Sequence, residues 1–160
     1  MDVTQQQLVF DFLGKLNIQY VVVFHRAVFT VDEIDFKTPG SQVKNLLLKS
    51  GDRYYLLIMR DDRRANFKKI AHQLGEKRLS FATSEQLQSL MGVMPGSVTP
   101  FGLLNDVAHC VTVLIDAEID RNAPIGFHPN VNTATVVLAY SDFVRVLKAL
   151  KRDPKRLIVS

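Results

Sequence analysis

Apolar residues recur along the chain with two periods, and each period predicts one kind of element. Spacings of three and four residues predict amphipathic helices, whereas short β-branched and aromatic runs predict buried strands. Helices are predicted over residues 5–16, from 30 to the turn at Pro39, over 67–74, from 83 up to Gly92, and from Ser141 onward. Strands are predicted over residues 20–24, 43–49, 54–60, 79–82, 110–115, 125–128 and 133–140.

The order of these elements predicts the fold class. Residues 43–60 are typical of an antiparallel hairpin whose strands are joined by residues 50–53, and the chain lacks a regular alternation of strands and helices. We therefore expect an α+β protein in which helices surround a mixed, largely antiparallel sheet. Because the 160 residues contain no linker-like segment, we expect a single domain over residues 1–160.

Composition narrows the class of protein without identifying it. Hydrophobic residues make up 47% and charged residues 22% of the chain, which is typical of a soluble domain. Apolar runs are too short to span a bilayer and the start of the chain lacks a signal-peptide pattern, so we expect a cytoplasmic protein without membrane contact. The single cysteine excludes an internal disulfide, and the four histidines lack the spacing of metal ligands. Neither a metal nor another cofactor is predicted.

The net charge of +4 is weak evidence for an anionic partner. Basic residues gather at positions 60–69, 77–78 and 145–156. In the last cluster, helical spacing directs apolar residues inward and places Lys148, Lys151 and Arg152 mostly outward. Such clusters bind phosphates in nucleic-acid-binding proteins, or they are ordinary solvated helix faces. The sequence leaves both interpretations open.

Residues 92–106 form an unusual stretch, because they hold three of the eight glycines and two of the six prolines among apolar neighbours. Gly96 lets a ligand approach the main chain closely, and Pro100 fixes the backbone at the other end of a Gly-x-x-x-Pro loop. The amides between these two residues can bind a carbonyl group or an oxyanion without a catalytic side chain. The alternative is a tight structural connection between a helix and a strand.

Lys44 and Lys49 flank the apolar run of the first hairpin strand. Strand alternation places Lys44 on the same face as Leu46 and Leu48, and Asn45 on the opposite face. A lysine with apolar neighbours either has a fixed anionic partner or holds its proton less firmly. Lys44 is therefore the more interesting of the two lysines.

His128 lies in a turn-like motif that reads GFHPNVNT over residues 126–133. The following Pro129 restricts the backbone of His128 and helps to fix its direction. A histidine in this position acts in a site or is a structural hydrogen-bonding group, and Asn132 either faces the same space or stabilises the turn. Cys110 is interpreted as an inert thiol at the start of a buried strand, and Ser97 lacks the Gly-x-Ser-x-Gly context. An enzyme of this sequence would therefore position a water molecule.

Three stretches, in their order and separation, resemble the YbaK/prolyl-tRNA-synthetase-associated editing superfamily. They are KNLLLK at 44–49, GVMPGSVTPF at 92–101 and FHPNVNTAT at 127–135. The likeness extends from about residue 21 to residue 150 and is greatest to the free-standing ProX branch, whose members remove alanine from mischarged proline tRNA. It implies the editing-domain fold, a trans-editing aminoacyl-tRNA deacylase that hydrolyses alanyl-tRNA(Pro), tRNA and possible prolyl-tRNA synthetase partners, and no cofactor.

The resemblance also implies roles for individual residues. Lys44 matches the lysine of the active site, and His128 matches a histidine that helps to form the amino-acid pocket. Lys44 and the loop amides would orient the ester while a water attacks it, with no covalent intermediate. The predicted substrate-binding residues are Asn45, Gly96, Ser97, Val98, Thr99, Pro100 and Asn132, and the basic cluster supplies the predicted tRNA-binding residues Lys148, Lys151 and Arg152.

The size of the pocket and the exact function stay open at this level. A small second pocket can admit alanine and exclude proline by steric clash. Phe24, Phe29, Ile34 and Val98 are either walls of that pocket or residues of the core. The alternative functions are a non-catalytic tRNA- or synthetase-binding module of the same fold, and a cysteinyl-tRNA(Pro) deacylase of the YbaK branch.

Overall fold

The structure, a computed structural model, describes residues 2–27 and 38–160. Its helices are α1 (Asp2–Lys15), α2 (Phe67–Leu74), α3 (Ser84–Met91) and α4 (Tyr140–Ala149), with a 3₁₀ helix at Pro100–Asn105. Its strands are β1 (Tyr20–Phe24), β2 (Val43–Ser50), β3 (Arg53–Arg60), β4 (Ser80–Phe81), β5 (Val111–Asp116), β6 (Ile125–Phe127), β7 (Ala134–Leu138) and β8 (Lys155–Leu157).

The strands form two sheets. One is antiparallel with the strand order β1-β7-β6, and the other is mixed with the order β4-β2-β3-β5-β8. In the larger sheet, β2 pairs antiparallel with β3 and β4, whereas β5 runs parallel to both β3 and β8. A parallel bridge between Ser41 and Ile125 connects the approach to β2 with the smaller sheet. The predicted α+β class with largely antiparallel pairing is confirmed, although the strands divide into two sheets.

The five-stranded sheet is covered on both faces, because alternate residues of β2 belong to two different core clusters. Leu47 belongs to the larger cluster, which includes Phe127 and residues of α1, α3 and α4. Leu48 belongs to the smaller cluster, which includes Ile70 and Ala71 of α2. The predicted alternation along β2 therefore places Asn45 on the side of the larger cluster and Lys44 on the side of the smaller one.

Local signals in the sequence set several element boundaries as predicted. Thr83 and Gln86 form the expected capping box at the start of α3, each side chain accepting a hydrogen bond from the other residue's backbone amide. Gly75 ends α2 in the left-handed region with φ 73°. The predicted hairpin also forms, but each strand is one residue longer at the turn than predicted, so that Ser50 pairs with Arg53 across a two-residue turn.

Other boundaries differ from the prediction. Helix α4 begins at Tyr140 instead of being capped by Ser141, and its N-cap residue makes no side-chain capping hydrogen bond. The buried Tyr140 ring packs against Phe143 and its hydroxyl accepts a hydrogen bond from Arg156, so tertiary packing sets this helix start. Cys110 is exposed and precedes β5, which corrects its interpretation as a core thiol.

Strand β8 was not predicted, because its three residues include Lys155 and Arg156 and form no apolar run. The predicted short helix that starts at Thr30 lies outside the described residues. Among the described helices, none is long and apolar enough to cross a membrane.

Candidate active site

A cavity of about 70 Å³ opens where the start of β2, the end of β3 and the strands β6 and β7 meet. Most of its lining residues carry polar side chains. The described residues that line the cavity are Thr38, Ser41, Gln42, Val43, Asn45, Asp61, Gly126, Phe127, His128 and Thr135.

Strand pairing explains why these residues meet. Val43 pairs with Arg60, so the first residues of β2 lie beside the last residues of β3 and the following Asp61. The bridge between Ser41 and Ile125 then sets β6 next to the same edge. Gly126 leaves the cavity open at this point, since a Cβ atom there would lie 2.9 Å from Cγ2 of Thr135.

His128 is held by the main chain in one orientation. Its Nδ1 atom lies 2.9 Å from the carbonyl oxygen of Ala134, which can only accept a hydrogen bond, so Nδ1 carries the proton. Burial lowers the pKa of His128, an effect that the Ala134 carbonyl opposes and the nearby His25 reinforces. A neutral His128 therefore keeps the lone pair of Nε2, and no described residue hydrogen-bonds to that atom.

His25 extends this polar arrangement behind the cavity. Its ring centre lies 5.8 Å from that of His128, and its Nε2 atom is 2.9 Å from the hydroxyl of Thr135. The Nδ1 atom of His25 is 2.8 Å from the carbonyl oxygen of Arg26, which requires a proton on Nδ1. In a neutral His25, Nε2 then accepts from Thr135, and the hydroxyl oxygen of Thr135 retains its acceptor capacity.

Asn45 contributes a polar atom that lacks a protein partner. Its Oδ1 atom is buried, and no described residue donates a hydrogen bond to it. A buried polar atom without a partner costs free energy, so such an atom in a cavity wall is a candidate for ligand contact. Asn45 and His128, which come from two separate sequence motifs, therefore share one cavity.

Lys44 is half-buried and lies between two lining residues, Val43 and Asn45, but is not itself among the described lining residues. Alternation along β2 directs it to the opposite side of the strand from Asn45. Its charge nevertheless acts on the cavity, because Lys44 lowers the pKa of Asp61. The expected anionic neighbour of Lys44 is therefore Asp61.

Asp61 is a lining residue that sequence reasoning missed. It lies within residues 60–69, which were interpreted as a basic cluster, so no role was predicted for the acidic residues in it. Burial is the main cause that raises the pKa of Asp61, followed by the charge of Asp62, whereas Lys44 and Arg60 oppose the rise. The pairing of β2 with β3 would have pointed to Asp61, because the hairpin returns the chain to the level of Lys44.

The Gly-x-x-x-Pro loop, residues 96–100, begins in a tight turn. Gly96 has φ 91°, and the amide of Ser97 donates to the carbonyl of Met94 at 3.0 Å, which closes a tight turn. The side chain of Thr99 caps the following 3₁₀ helix, which starts at Pro100. No described residue accepts a hydrogen bond from the amides of Val98 and Thr99, but Thr99 is fully buried, so only Val98 is partly exposed.

This loop is linked to the cavity indirectly, since none of its residues is among the described lining residues. Phe101, which follows the loop, packs edge-on against Phe127 of the cavity wall. The Oε1 atom of Gln5 in α1 accepts long hydrogen bonds of 3.4 Å from both Asn105 and Asn130. Helix α1 thus connects the two motif-bearing loops, and this bridging role of Gln5 was not predicted.

The remaining predicted residues fall into two groups. Asn132 is half-buried in the turn before β7 and is not a described lining residue. Phe24 is 72% exposed, so it is neither a core residue nor a closed pocket wall, whereas Val98 packs against the larger core cluster. Phe29 and Ile34 lie outside the described residues.

Arg152 is a correction to the predicted basic surface. Lys148 and Lys151 are exposed, but Arg152 is 8% exposed and its Nη2 atom lies 2.8 Å from Oδ2 of Asp106. Helix α4 ends at Ala149 and Lys151 has φ 59°, so helical spacing no longer applies at Arg152. Its expected outward orientation is therefore wrong.

In the part of the chain that the structure describes, no three histidine, cysteine or acidic residues are grouped so that they could hold a metal ion.

Comparison with solved structures first defines the class of fold. A crystal structure of a candidate trans-editing enzyme for prolyl-tRNA synthetase superimposes with a TM-score of 0.69 and 17% identity, covering 96% of each chain. At this identity the likeness concerns the fold alone. It shows that the chain shares the fold of that protein.

Comparison of sequences then defines the family. The aminoacyl-tRNA editing domain family matches residues 25–146. The prolyl-tRNA editing protein ProX of Acetoanaerobium sticklandii is 36% identical over 154 residues, which cover 93% of this chain and 94% of that protein. Prolyl-tRNA synthetase associated domain-containing protein 1 of Danio rerio is 32% identical over 150 residues, covering 90% and 82%. The chain belongs to the aminoacyl-tRNA editing domain family, which confirms the predicted family and fold class.

Proposed function

We propose that this protein is a free-standing aminoacyl-tRNA deacylase that removes a mischarged small amino acid, alanine above all, from proline tRNA. The observation that carries the proposal is the shared cavity of Asn45 and His128, in a chain 36% identical to a prolyl-tRNA editing protein over nearly its whole length. The whole of residues 1–160 is proposed to act as one editing domain. Soluble translation proteins of this kind act in the cytoplasm, which is the proposed location.

The proposed reaction is hydrolysis of the ester between the amino acid and the terminal ribose. A water molecule adds to the ester carbonyl, and the bond to the ribose oxygen breaks, which releases the free amino acid and the ribose hydroxyl. The neutral Nε2 atom of His128 suits a hydrogen bond from a water or from the substrate. The amide of the partly exposed Val98 and the charge of Lys44 are proposed to stabilise the oxygen that becomes negative during the reaction.

The cavity is proposed to select the amino acid by the size of its side chain. A volume of about 70 Å³ holds about five water molecules at the minimum space each one needs. A synthetase pocket built for proline rejects a smaller amino acid weakly, since a missing methylene is worth only about 1–3 kcal/mol. A second, smaller pocket corrects the error by admitting alanine and excluding proline.

The proposed partner is the aminoacylated acceptor end of tRNA, with prolyl-tRNA synthetase as a second proposed partner. The exposed Lys148 and Lys151 are proposed to contact tRNA phosphates. Arg152 is left out of this set, because its guanidinium group is buried against Asp106. Gly96, Ser97, Pro100 and Asn132 are proposed to shape the substrate site through their backbone and turn positions.

The test is a deacylation time course on proline tRNA charged separately with alanine, cysteine and proline. Wild type should hydrolyse the alanyl ester, and Lys44→Ala should slow this reaction by about a hundredfold or more, as for loss of a group that stabilises an oxyanion. Lys49→Ala, at the other end of β2, is the matched control and should retain activity. Full activity of Lys44→Ala would remove this lysine from the mechanism.

The same experiment separates the alternative functions. Loss of cysteine in place of alanine would assign the protein to cysteinyl-tRNA(Pro) hydrolysis. Binding of tRNA without hydrolysis of any ester would instead make it a non-catalytic module of the same fold.

A further inference from the structure

The Asp61 carboxylate in the cavity wall forms no ion pair with any described residue. Asp61 is the one acidic residue among the described lining residues, and no other described residue donates a hydrogen bond to its side chain. We propose that Asp61, together with Oδ1 of Asn45, binds the α-ammonium group of the aminoacyl ester. The inference rests on the proposed function, since it assumes an aminoacyl substrate in this cavity.

The cations near Asp61 do not satisfy its carboxylate. Arg60 is engaged by Asp62 through two hydrogen bonds, of 3.0 and 2.7 Å. The Lys44 side chain leaves β2 on the side opposite to Asn45 and makes no ion pair with Asp61. Its charge nevertheless lowers the pKa of Asp61. A partly buried carboxylate in this situation is stabilised by a cation that enters the cavity. The substrate supplies one in its ammonium group.

The other polar atoms of the cavity also favour a donor-rich ligand. The amide nitrogen of Gln42 is already occupied by Thr38 and by the carbonyl of Gly40, at 2.8 to 3.3 Å. The buried Oδ1 atom of Asn45 has no described donor and is an acceptor. An ammonium group presents three N–H donors and no acceptor, so it complements the Asp61 carboxylate and the Asn45 oxygen.

This assignment predicts a specificity that side-chain size does not provide. An ester whose amino group is acylated lacks both the charge and two of the donors, so it should bind poorly whatever its side chain. The site would then spare esters that carry a peptide or another acyl group on the amino nitrogen. Asp61 is thus proposed as the residue that selects substrates with a free amino group.

The experiment measures binding instead of hydrolysis. The probes are two 3′-end RNA fragments that carry alanine or N-acetylalanine through a non-hydrolysable amide link. Wild type should bind the free-amine probe about 10- to 100-fold more tightly, as for a hydrogen bond to a charged group. Asp61→Asn should abolish most of this preference by weakening binding of the free-amine probe alone. Asp62→Asn, an exposed neighbouring carboxylate paired with Arg60, is the matched control and should keep the preference.

Each outcome decides the question. Equal binding of both probes by wild type, or an Asp61→Asn variant that keeps the preference, overturns the inference. If Asp61→Asn does not fold, Asp61→Ser supplies a second uncharged variant, and the wild-type comparison of the two probes still applies. A preference for the free amine without hydrolysis of alanyl-tRNA would sink the proposed function and leave the inference standing. Hydrolysis without the preference would do the reverse.

Discussion

At the scale of single residues, the His128 imidazole shows how a main-chain carbonyl prepares a side chain for chemistry. The carbonyl of Ala134 holds the proton on Nδ1, and burial disfavours a second proton on the ring. His128 is thus neutral at a pH where an exposed histidine is partly charged. The turn before β7 provides this arrangement, since it returns the chain toward His128 within six residues.

This arrangement predicts a pH dependence of stability. Because the folded pKa of His128 lies below its ordinary value of 6.5, the unfolded chain takes up a proton first. The free energy of unfolding should therefore fall as pH drops below 6.5, until the pH passes the folded pKa. Urea titrations of wild type and His128→Asn between about pH 5 and 7.5 measure this effect, which the variant should lose.

The protonation of His128 should also affect activity. If neutral Nε2 takes part, the deacylation rate of wild type should fall on the acidic side as His128 gains its proton. His72→Asn, at an exposed position of α2, is the control and should resemble wild type in both measurements. A stability profile of His128→Asn that matches wild type would contradict the buried neutral state.

At the scale of elements, one buried ion pair joins the loop before β5 to the chain after α4. Asp106 accepts hydrogen bonds from the backbone amides of Cys110 and Val111, at 3.0 and 2.9 Å. Arg152 donates a hydrogen bond to the Asp106 carboxylate and another to the carbonyl of Leu150 at 2.7 Å. The pair therefore fixes the entry to β5 and the turn that leads to β8.

Removing one partner of this pair should be costly. Arg152→Ala leaves Asp106 charged and buried, so we expect a loss of about 3–5 kcal/mol in the free energy of unfolding. Chemical denaturation measures this loss. Lys148→Ala, an exposed change on the same segment, is the control and should stay within about 0.5 kcal/mol of wild type. A similarly small loss for Arg152→Ala would contradict a stabilising role of this ion pair.

The elements also show which features a sequence can reveal. The β2–β3 hairpin and the capping box at Thr83 depend on neighbouring residues, so local pattern predicted them correctly. The predicted orientation of Arg152 was wrong because helical spacing was extended beyond the residue where α4 ends. Strand β8 was not predicted because its formation depends on pairing with β5 and not on its own apolar content.

The candidate site follows the same division. Asn45 and His128 were predicted from two separate motifs, and both line the same cavity. Asp61 was missed, because the register of the two hairpin strands brings it to the cavity and its own segment carries no motif. The role of Gln5 depends on contacts with residues about 100 positions away, which periodicity does not encode.

At the scale of the whole molecule, the cavity and the exposed lysines Lys148 and Lys151 lie toward opposite ends of the large sheet. Strands β3 and β5 are parallel, and Asp61 follows the carboxyl end of β3 beside the cavity. Arg152 contacts Asp106, which caps the amino end of β5 at Val111. At about 3.3 Å per residue, these two edges are about 20 Å apart. A bound tRNA must therefore extend along the protein to contact both.

This separation predicts how the two lysines act on tRNA. The double change Lys148→Ala and Lys151→Ala should weaken binding of full-length uncharged tRNA and reduce the slope of log Kd against log salt by roughly two, about one for each phosphate contact. It should leave binding of a short 3′-end fragment unchanged, because that fragment occupies the cavity edge. Filter-binding titrations over a range of salt concentrations measure both effects.

The control for this prediction removes the same charge from the other face of the sheet. Lys68 in α2 and Lys77 just after it are exposed, and α2 packs on the smaller core cluster, whereas α4 packs on the larger one. Lys68→Ala with Lys77→Ala should therefore leave the slope as in wild type. If both pairs change the slope equally, net charge governs binding and the surface of α4 has no special role. If only the α4 pair acts, and only on full-length tRNA, the acceptor arm crosses the protein on the face that α4 covers.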